Sequence, residues 1–203
     1  MSQFIESIKV TPSGPLLLEL HQRRVKATFE AFDCPCTLEL SKVLAGQAKV
    51  SSGRSKLRVV YDLQGHWHSS LEPYSPVPIS GFQLIECPEI SYQFKSADRE
   101  LLQNLSAMTK PLEPLITQGS QLTDSSFSNL VFFKDGIWYT PSRYLLNGVQ
   151  RQFLLSKGTI REAKINLSTL RTYSHFALIN ALNSLAETQV YPLDSIRNLP
   201  IEY

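Results

Sequence analysis

The sequence has no run of roughly 18 consecutive apolar residues, so nothing in it reads as a membrane-spanning helix. A surplus of either charge is also missing. Twenty Lys+Arg face eighteen Asp+Glu, a formal net charge of +2 that is far from the basic excess of a dedicated nucleic-acid binder. Cysteine is scarce: Cys34, Cys36 and Cys87 are too few, and odd in number, for a disulfide framework, which accords with a reducing compartment. Cys34-Pro35-Cys36 is not a C-x-x-C redox motif. His66-Trp67-His68 puts two imidazoles on one strand face with no third ligand nearby, so no metal is expected. The start, Met1-Ser2-Gln3-Phe4, has neither the basic residues nor the apolar run of a signal peptide, and a cytoplasmic location is the expectation. The lack of any repeat of roughly 20 to 50 residues argues against solenoids and propellers.

What is present is an ordinary globular composition, 42% hydrophobic and 19% charged over 203 residues, enough for one large or two small domains with a real core. The patterning mixes α and β. Phe4 to Val10 suits a strand, and Thr11-Pro12-Ser13-Gly14-Pro15 turns it back as a hairpin. From Glu19 to Phe32 the spacing of Val25, Phe29 and Phe32 predicts a helix with those three facing inward. Strands are expected at Leu57 to Leu63, His66 to Leu71 and Ile79 to Glu86. Ala97, Leu101, Leu105 and Met108 predict the buried face of a helix over Ser96 to Met108, with Lys95 at its mouth.

Thr109-Lys110-Pro111-Leu112-Glu113-Pro114 breaks that helix and is the candidate junction between domains at 1–108 and 109–203, the second with a smaller sheet. There, Asn129 to Phe133 and Ile137 to Thr140 flank Lys134-Asp135-Gly136, an Asp-Gly hairpin signal. A helix is expected to begin near Gly148. Strands at Ile160 to Ile165 and Phe176 to Leu182 follow, with a short helix from Ser168 between them.

Three separated stretches together resemble the class IV aminotransferases, the fold-type IV enzymes of pyridoxal phosphate. The first is Glu6-Ser7-Ile8 followed by Leu20-His21-Gln22-Arg23-Arg24, similar to the family's strand, turn and H-x-x-R. The second is Phe94-Lys95-Ser96-Ala97-Asp98-Arg99, similar to its lysine segment K-x-x-x-R. The third runs through Leu122-Thr123-Asp124-Ser125-Ser126-Phe127-Ser128-Asn129-Leu130, Tyr139-Thr140-Pro141, Asn147-Gly148-Val149-Gln150-Arg151 and Leu178-Ile179-Asn180-Ala181-Leu182. No one piece is specific, but order and spacing match along nearly the whole chain. Asn147 to Phe153 and Asn180 to Leu182 look closest to the aminodeoxychorismate lyase side of the family.

The resemblance implies an α/β fold of the α+β type: two domains, D-amino acid aminotransferase-like, with pyridoxal 5'-phosphate in the cleft between them and a homodimer as the assembly. It implies a Schiff base on Lys95, whose amine then serves as the base for the α-proton. Asp124 stands where the family usually has Glu and would face the ring nitrogen, with an arm about 1.5 Å shorter. Arg24 and the amides at Gly148 and Val149 would take the phosphate, joined by the turn at Asn180-Ala181, where Ala181 offers main chain only. Asn129 completes the set.

Taken alone, each residue has a plainer reading. Lys95 reads as a surface lysine, Arg24 as a solvated helix charge, and Asp124 as an Asx turn or cap ahead of the strand at Asn129. Three functions therefore stand: amino transfer on an amino acid or amino-chorismate, aminodeoxychorismate cleavage to pyruvate and p-aminobenzoate, or a non-catalytic homologue that keeps the fold. The short start and Asp124 motivate the third.

Overall fold

The computed structural model describes residues 2–199; Met1 and residues 200–203, the outer ends of the two expected domains, lie outside that range. The chain divides into two compact units. One takes the chain through Pro76 together with Phe94–Asp98, and the other takes Val77–Gln93 and the chain from Arg99 onward.

In the first unit β1 (Gln3–Thr11) turns through β2 (Gly14–Pro15) into α1 (Leu18–Ala31), followed by α2 (Leu40–Ala45), β3 (Ser55–Asp62) and β4 (Trp67–Pro73). The sheet order is β2-β1-β3-β4, antiparallel throughout. The two-residue period of β1 sets Phe4, Glu6, Ile8 and Val10 on one buried face. The helical period of α1 buries His21, Val25, Thr28 and Phe29. Phe4, Ile8, Val25, Phe29, Leu57 and Val59 belong to one core cluster.

Phe32, expected inward, is the C-cap of α1 and 42% exposed. Asp33 takes a left-handed φ of 52°, so the chain leaves the helix one residue before another inward position is reached. Its ring still lies 5.1 Å from that of Phe94.

The second unit contains β5 (Phe82–Glu86), α3 (Glu100–Thr109), β6 (Glu113–Gln118), β7 (Gln121–Ser125), β8 (Asn129–Lys134), β9 (Ile137–Pro141), α4 (Val149–Ser156), β10 (Ile160–Ala163), β11 (His175–Ile179) and β12 (Val190–Pro192). Single 3-10 helical segments sit at Leu167–Thr172 and Leu193–Ser195. Six strands run in the order β10-β9-β8-β7-β6-β5, and β11 pairs with both β8 and β12. Asp135 and Gly136, with φ of 49° and 77°, make the tight β8–β9 turn that an Asp-Gly pair favours.

Three expectations are corrected here. The boundary does not fall at 108/109, because β5 pairs parallel with β6, Phe82 opposite Glu113. Parallel neighbours need a crossover, so α3 and the segment read as a junction lie inside a β-α-β connection. The second sheet is the larger, eight strands against four. Finally, α3 begins at Glu100 and buries Leu102, Leu105 and Thr109, while Leu101 and Met108 are 45% and 73% exposed. The reading from Ala97 included residues that are not helical and so rotated the inward face.

Candidate functional site

In the first unit a carboxylate on β1 meets two side chains one helical turn apart on α1. Glu6 and His21 are fully buried, with His21 Nδ1 2.5 Å from Glu6 Oε2. Arg24 donates from Nε to Glu6 Oε1 at 2.8 Å and from Nη2 to Oε2 at 2.5 Å, a bidentate fork. Burial alone would push the Glu6 carboxyl up, but the charge of Arg24 and the hydrogen bonds from His21 and Arg24 outweigh it and hold Glu6 at about 2. Burial, and then the negative charge of Glu6, raise the Tyr61 hydroxyl. Arg24 is therefore an aimed guanidinium, with its forked edge on Glu6.

Lys95 lies outside any helix, in a segment hydrogen-bonded along β1. Its carbonyl accepts from Ile5 N at 2.8 Å, and Ala97 N donates to Gln3 O at 2.8 Å, flanking the bridge between Phe4 and Ser96. Main-chain bonds thus fix its Cα independently of its side chain. The expected position at a helix mouth is replaced by a strand-like one.

In the second unit Asp124, the residue before the last of β7, pairs with Asn129 at the start of β8. Asn129 Nδ2 donates to Asp124 Oδ1 at 2.8 Å, and the amides of Leu145 and Leu146 donate to Oδ2, each at 2.9 Å. The same Asn129 Nδ2 also donates to Leu146 O at 2.8 Å, tying β8 to the 142–147 loop. Burial lifts the Asp124 carboxyl to about 6 against these three bonds and the more distant charge of Arg151. Asp124 is no cap ahead of a strand, since β7 carries it into the sheet.

Gly148 precedes α4 as its N-cap without a side-chain cap, and the first helical residues Val149, Gln150 and Arg151 are buried. A buried helix start whose leading amides lack a side-chain acceptor is a favourable place for an anion. Glycine is required at 148 because a Cβ there would come within 2.1 Å of Asn129 Oδ1. Asn180 is committed to its own turn. Its Oδ1 accepts from Leu182 N at 2.9 Å and Asn183 N at 3.0 Å, and its Nδ2 donates to Ser128 Oγ at 2.8 Å. Within the second unit Asp124, Asn129 and Gly148 meet directly, and Asn180 joins them through Ser128 on the β7–β8 turn.

Four residues that shape these groups stand in the quoted stretches without a role assigned to them there. Glu6 aims Arg24. Arg99 Nη2 donates to Ser126 O at 2.6 Å, while Glu113 Oε1 accepts from Ser126 N at 2.9 Å and Oγ at 2.7 Å, so both hold the β7–β8 turn. Arg151 is buried and bonded to the 142–147 loop and its flanks. The signal available for Glu6 was its place among Phe4, Ile8 and Val10, since a carboxylate on a core face requires a cation.

His66 pairs with Asp62 (Nδ1 to Oδ2, 3.0 Å). No group of three or more metal-ligating side chains occurs among the described residues. No helix among them is long and apolar enough to cross a membrane.

Residues 93–190 match the amino-transferase class IV family. An uncharacterized protein of Haemophilus influenzae is 37% identical over 105 residues, which are 51% of this chain and 56% of that relative, so the match spans little more than half of the curated protein. The crystal structure of a candidate 4-amino-4-deoxychorismate lyase from Haemophilus somnus superposes with a TM-score of 0.84 and 29% identity, covering 91% of this chain and 98% of that one. A candidate amino-acid aminotransferase from Mesorhizobium loti shares the fold, with a TM-score of 0.77 at 20% identity over 95% of this chain and 98% of that one. The segment at 93–190 is thus similar to the amino-transferase class IV family, and the fold of the Haemophilus somnus protein is shared along nine-tenths of this chain.

Proposed function

We propose that this protein is a pyridoxal-phosphate-dependent enzyme acting on an amino substrate, with 4-amino-4-deoxychorismate as that substrate. The observation that carries the reading is Asp124. Its buried carboxylate is pushed up to about 6, and among the described residues its hydrogen-bond donors are all neutral. A cationic N–H donor such as a protonated pyridine nitrogen would relieve that desolvation cost. The uncapped, buried start of α4 and the guanidinium of Arg24 suit a phosphate in the same way. The donor chemistry thus fits both ends of the cofactor.

When bound, the cofactor supplies an electron-withdrawing ring that stabilises negative charge at the substrate α-carbon. Lys95 Nζ would hold the cofactor and, with the substrate amine bound, would take the α-proton. The Asp124 carboxylate would accept a hydrogen bond from the protonated ring nitrogen. Asn129, Leu145 and Leu146 hold that carboxylate in place. Arg24 would offer its guanidinium to the phosphate, and the amides at Gly148 and Val149 with the main chain at Asn180-Ala181 would offer main-chain donors to it.

Cleavage of aminodeoxychorismate is supported by the likeness to the Haemophilus somnus protein. Amino transfer is the second reading, supported by the match to the class IV aminotransferases. Titration of purified protein with pyridoxal phosphate is expected to give a visible absorption band, and borohydride is expected to leave the added mass on the peptide containing Lys95. Absence of the band in wild-type protein would overturn the proposal, as would its full retention in Lys95→Ala. Pyruvate release without an added 2-oxo acid supports cleavage; a strict need for one supports transfer. A homodimer in the cytoplasm is part of the same proposal, and light scattering on the purified chain measures the assembly.

A further inference from the structure

Arg151 is among the largest fully buried side chains, and its hydrogen bonds go to Asn147, Pro141 and Glu162 rather than to the groups assigned to the cofactor. Its Nη2 donates to Pro141 O at 3.1 Å, and its Nη1 to Asn147 Oδ1 at 3.2 Å. The guanidinium carbon lies 4.4 Å from the ring centre of Tyr144, and Nη2 also bonds Glu162 on β10. These contacts grip the 142–147 loop at its entry, its middle and its exit. That loop delivers the Leu145 and Leu146 amides to Asp124 Oδ2 and the Leu146 carbonyl to Asn129 Nδ2. Arg151 Nε is buried without a partner among the described residues. Holding a desolvated cation with one N–H unpaired is costly for stability alone.

We infer that Arg151 is the positioning residue of the Asp124 centre: by clamping the 142–147 loop it fixes the two amides that orient the carboxylate for a cationic ring nitrogen. The charge of Arg151 is not sufficient for this. Lysine would keep the charge but not two diverging donors and a planar face against Tyr144. The role in catalysis rests on the pyridoxal-phosphate reading; the clamp itself does not.

The test uses the full chain without added cofactor, with wild type, Arg151→Lys, Arg151→Met and, in case the methionine variant does not fold, Tyr144→Leu. Amide hydrogen exchange at Leu145 and Leu146 is read by NMR, and the Asp124 carboxyl is titrated by its carbon resonance. Both Arg151 variants are expected to exchange these two amides about tenfold faster or more. Both should also move the Asp124 midpoint upward, with Tyr144→Leu following in the same direction by less. Wild-type exchange and titration in Arg151→Lys would overturn the clamp in favour of charge alone. Uniformly faster exchange across β8 and β11 as well would overturn it in favour of a general packing role. With pyridoxal phosphate added, failure of wild type to develop a visible band sinks the functional reading and leaves the clamp to the exchange data.

Discussion

Glu6 and Arg24 are joined edge to edge, Nε to Oε1 at 2.8 Å and Nη2 to Oε2 at 2.5 Å, with the carboxylate fully buried and the guanidinium nearly so. Strand β1 and helix α1 are thereby locked at one charged point beside His21, through residues fifteen and eighteen positions apart in sequence.

Acid should expose that lock. Glu6 sits at about 2 in the folded chain against an ordinary 4.5. An acid with a depressed folded pKa stabilises above its unfolded value and loses that contribution as pH falls through the folded one. Between pH 4.5 and 2 wild type should lose on the order of 3 kcal/mol through this group. Glu6→Gln should lack that component in chemical denaturation, and be less stable at pH 7 by about 3 kcal/mol because Arg24 and His21 lose their partner.

The opposite sign applies to Asp124. Its folded value of about 6 lies above the ordinary 3.8, so its contribution is most favourable below pH 3.8 and is lost as pH rises through 6. Asp124→Asn should keep or raise the stability of the cofactor-free protein at pH 8, by up to about 3 kcal/mol, while weakening pyridoxal phosphate binding at least about tenfold. Thermal denaturation and absorbance titration of the same samples measure both.

Gly148→Ala would force a Cβ to within 2.1 Å of Asn129 Oδ1. Asn129 would have to withdraw from Asp124 and from Leu146 O, costing about 1–3 kcal/mol in a packed site. A lower melting temperature together with weaker cofactor binding is expected. Unchanged values for both would show that α4 can shift freely.

The face of α3 is testable without any ligand. Leu105→Ala should cost about 2–4 kcal/mol, since its side chain packs with Ile90, Leu102 and Ile116. Met108→Ala, at a position 73% exposed, should change stability by no more than about 0.5 kcal/mol. Urea denaturation of the two variants would separate this face from the one that the spacing of Leu101, Leu105 and Met108 suggests.

Much was legible where the signal is local. The Asp135-Gly136 turn, the α1 positions Val25 and Phe29, and the α4 start at Gly148 all follow from residue types within a few positions of one another. β6 and β7 were not legible as strands. Leu115 and Ile116 are both fully buried on consecutive positions, so the alternation that marks a half-exposed strand is absent. Asp124 was found by its motif, but the amides of Leu145 and Leu146 carry no residue-type signature because a backbone N–H is the same in nearly every residue.

The sequence by itself determined the kinds of group available: one lysine in a motif, an acid where the resembled family has a longer acid, an arginine spaced one turn from a histidine, and a glycine ahead of a helix. Only the tertiary structure decided which partners they meet. Arg24 is aimed by a carboxylate eighteen positions away, and Asp124 is held by amides twenty-one and twenty-two positions on. The physical reason is that periodicity and turn chemistry act over a few residues, whereas desolvation and hydrogen-bond pairing depend on what the folded chain brings within about 3 Å.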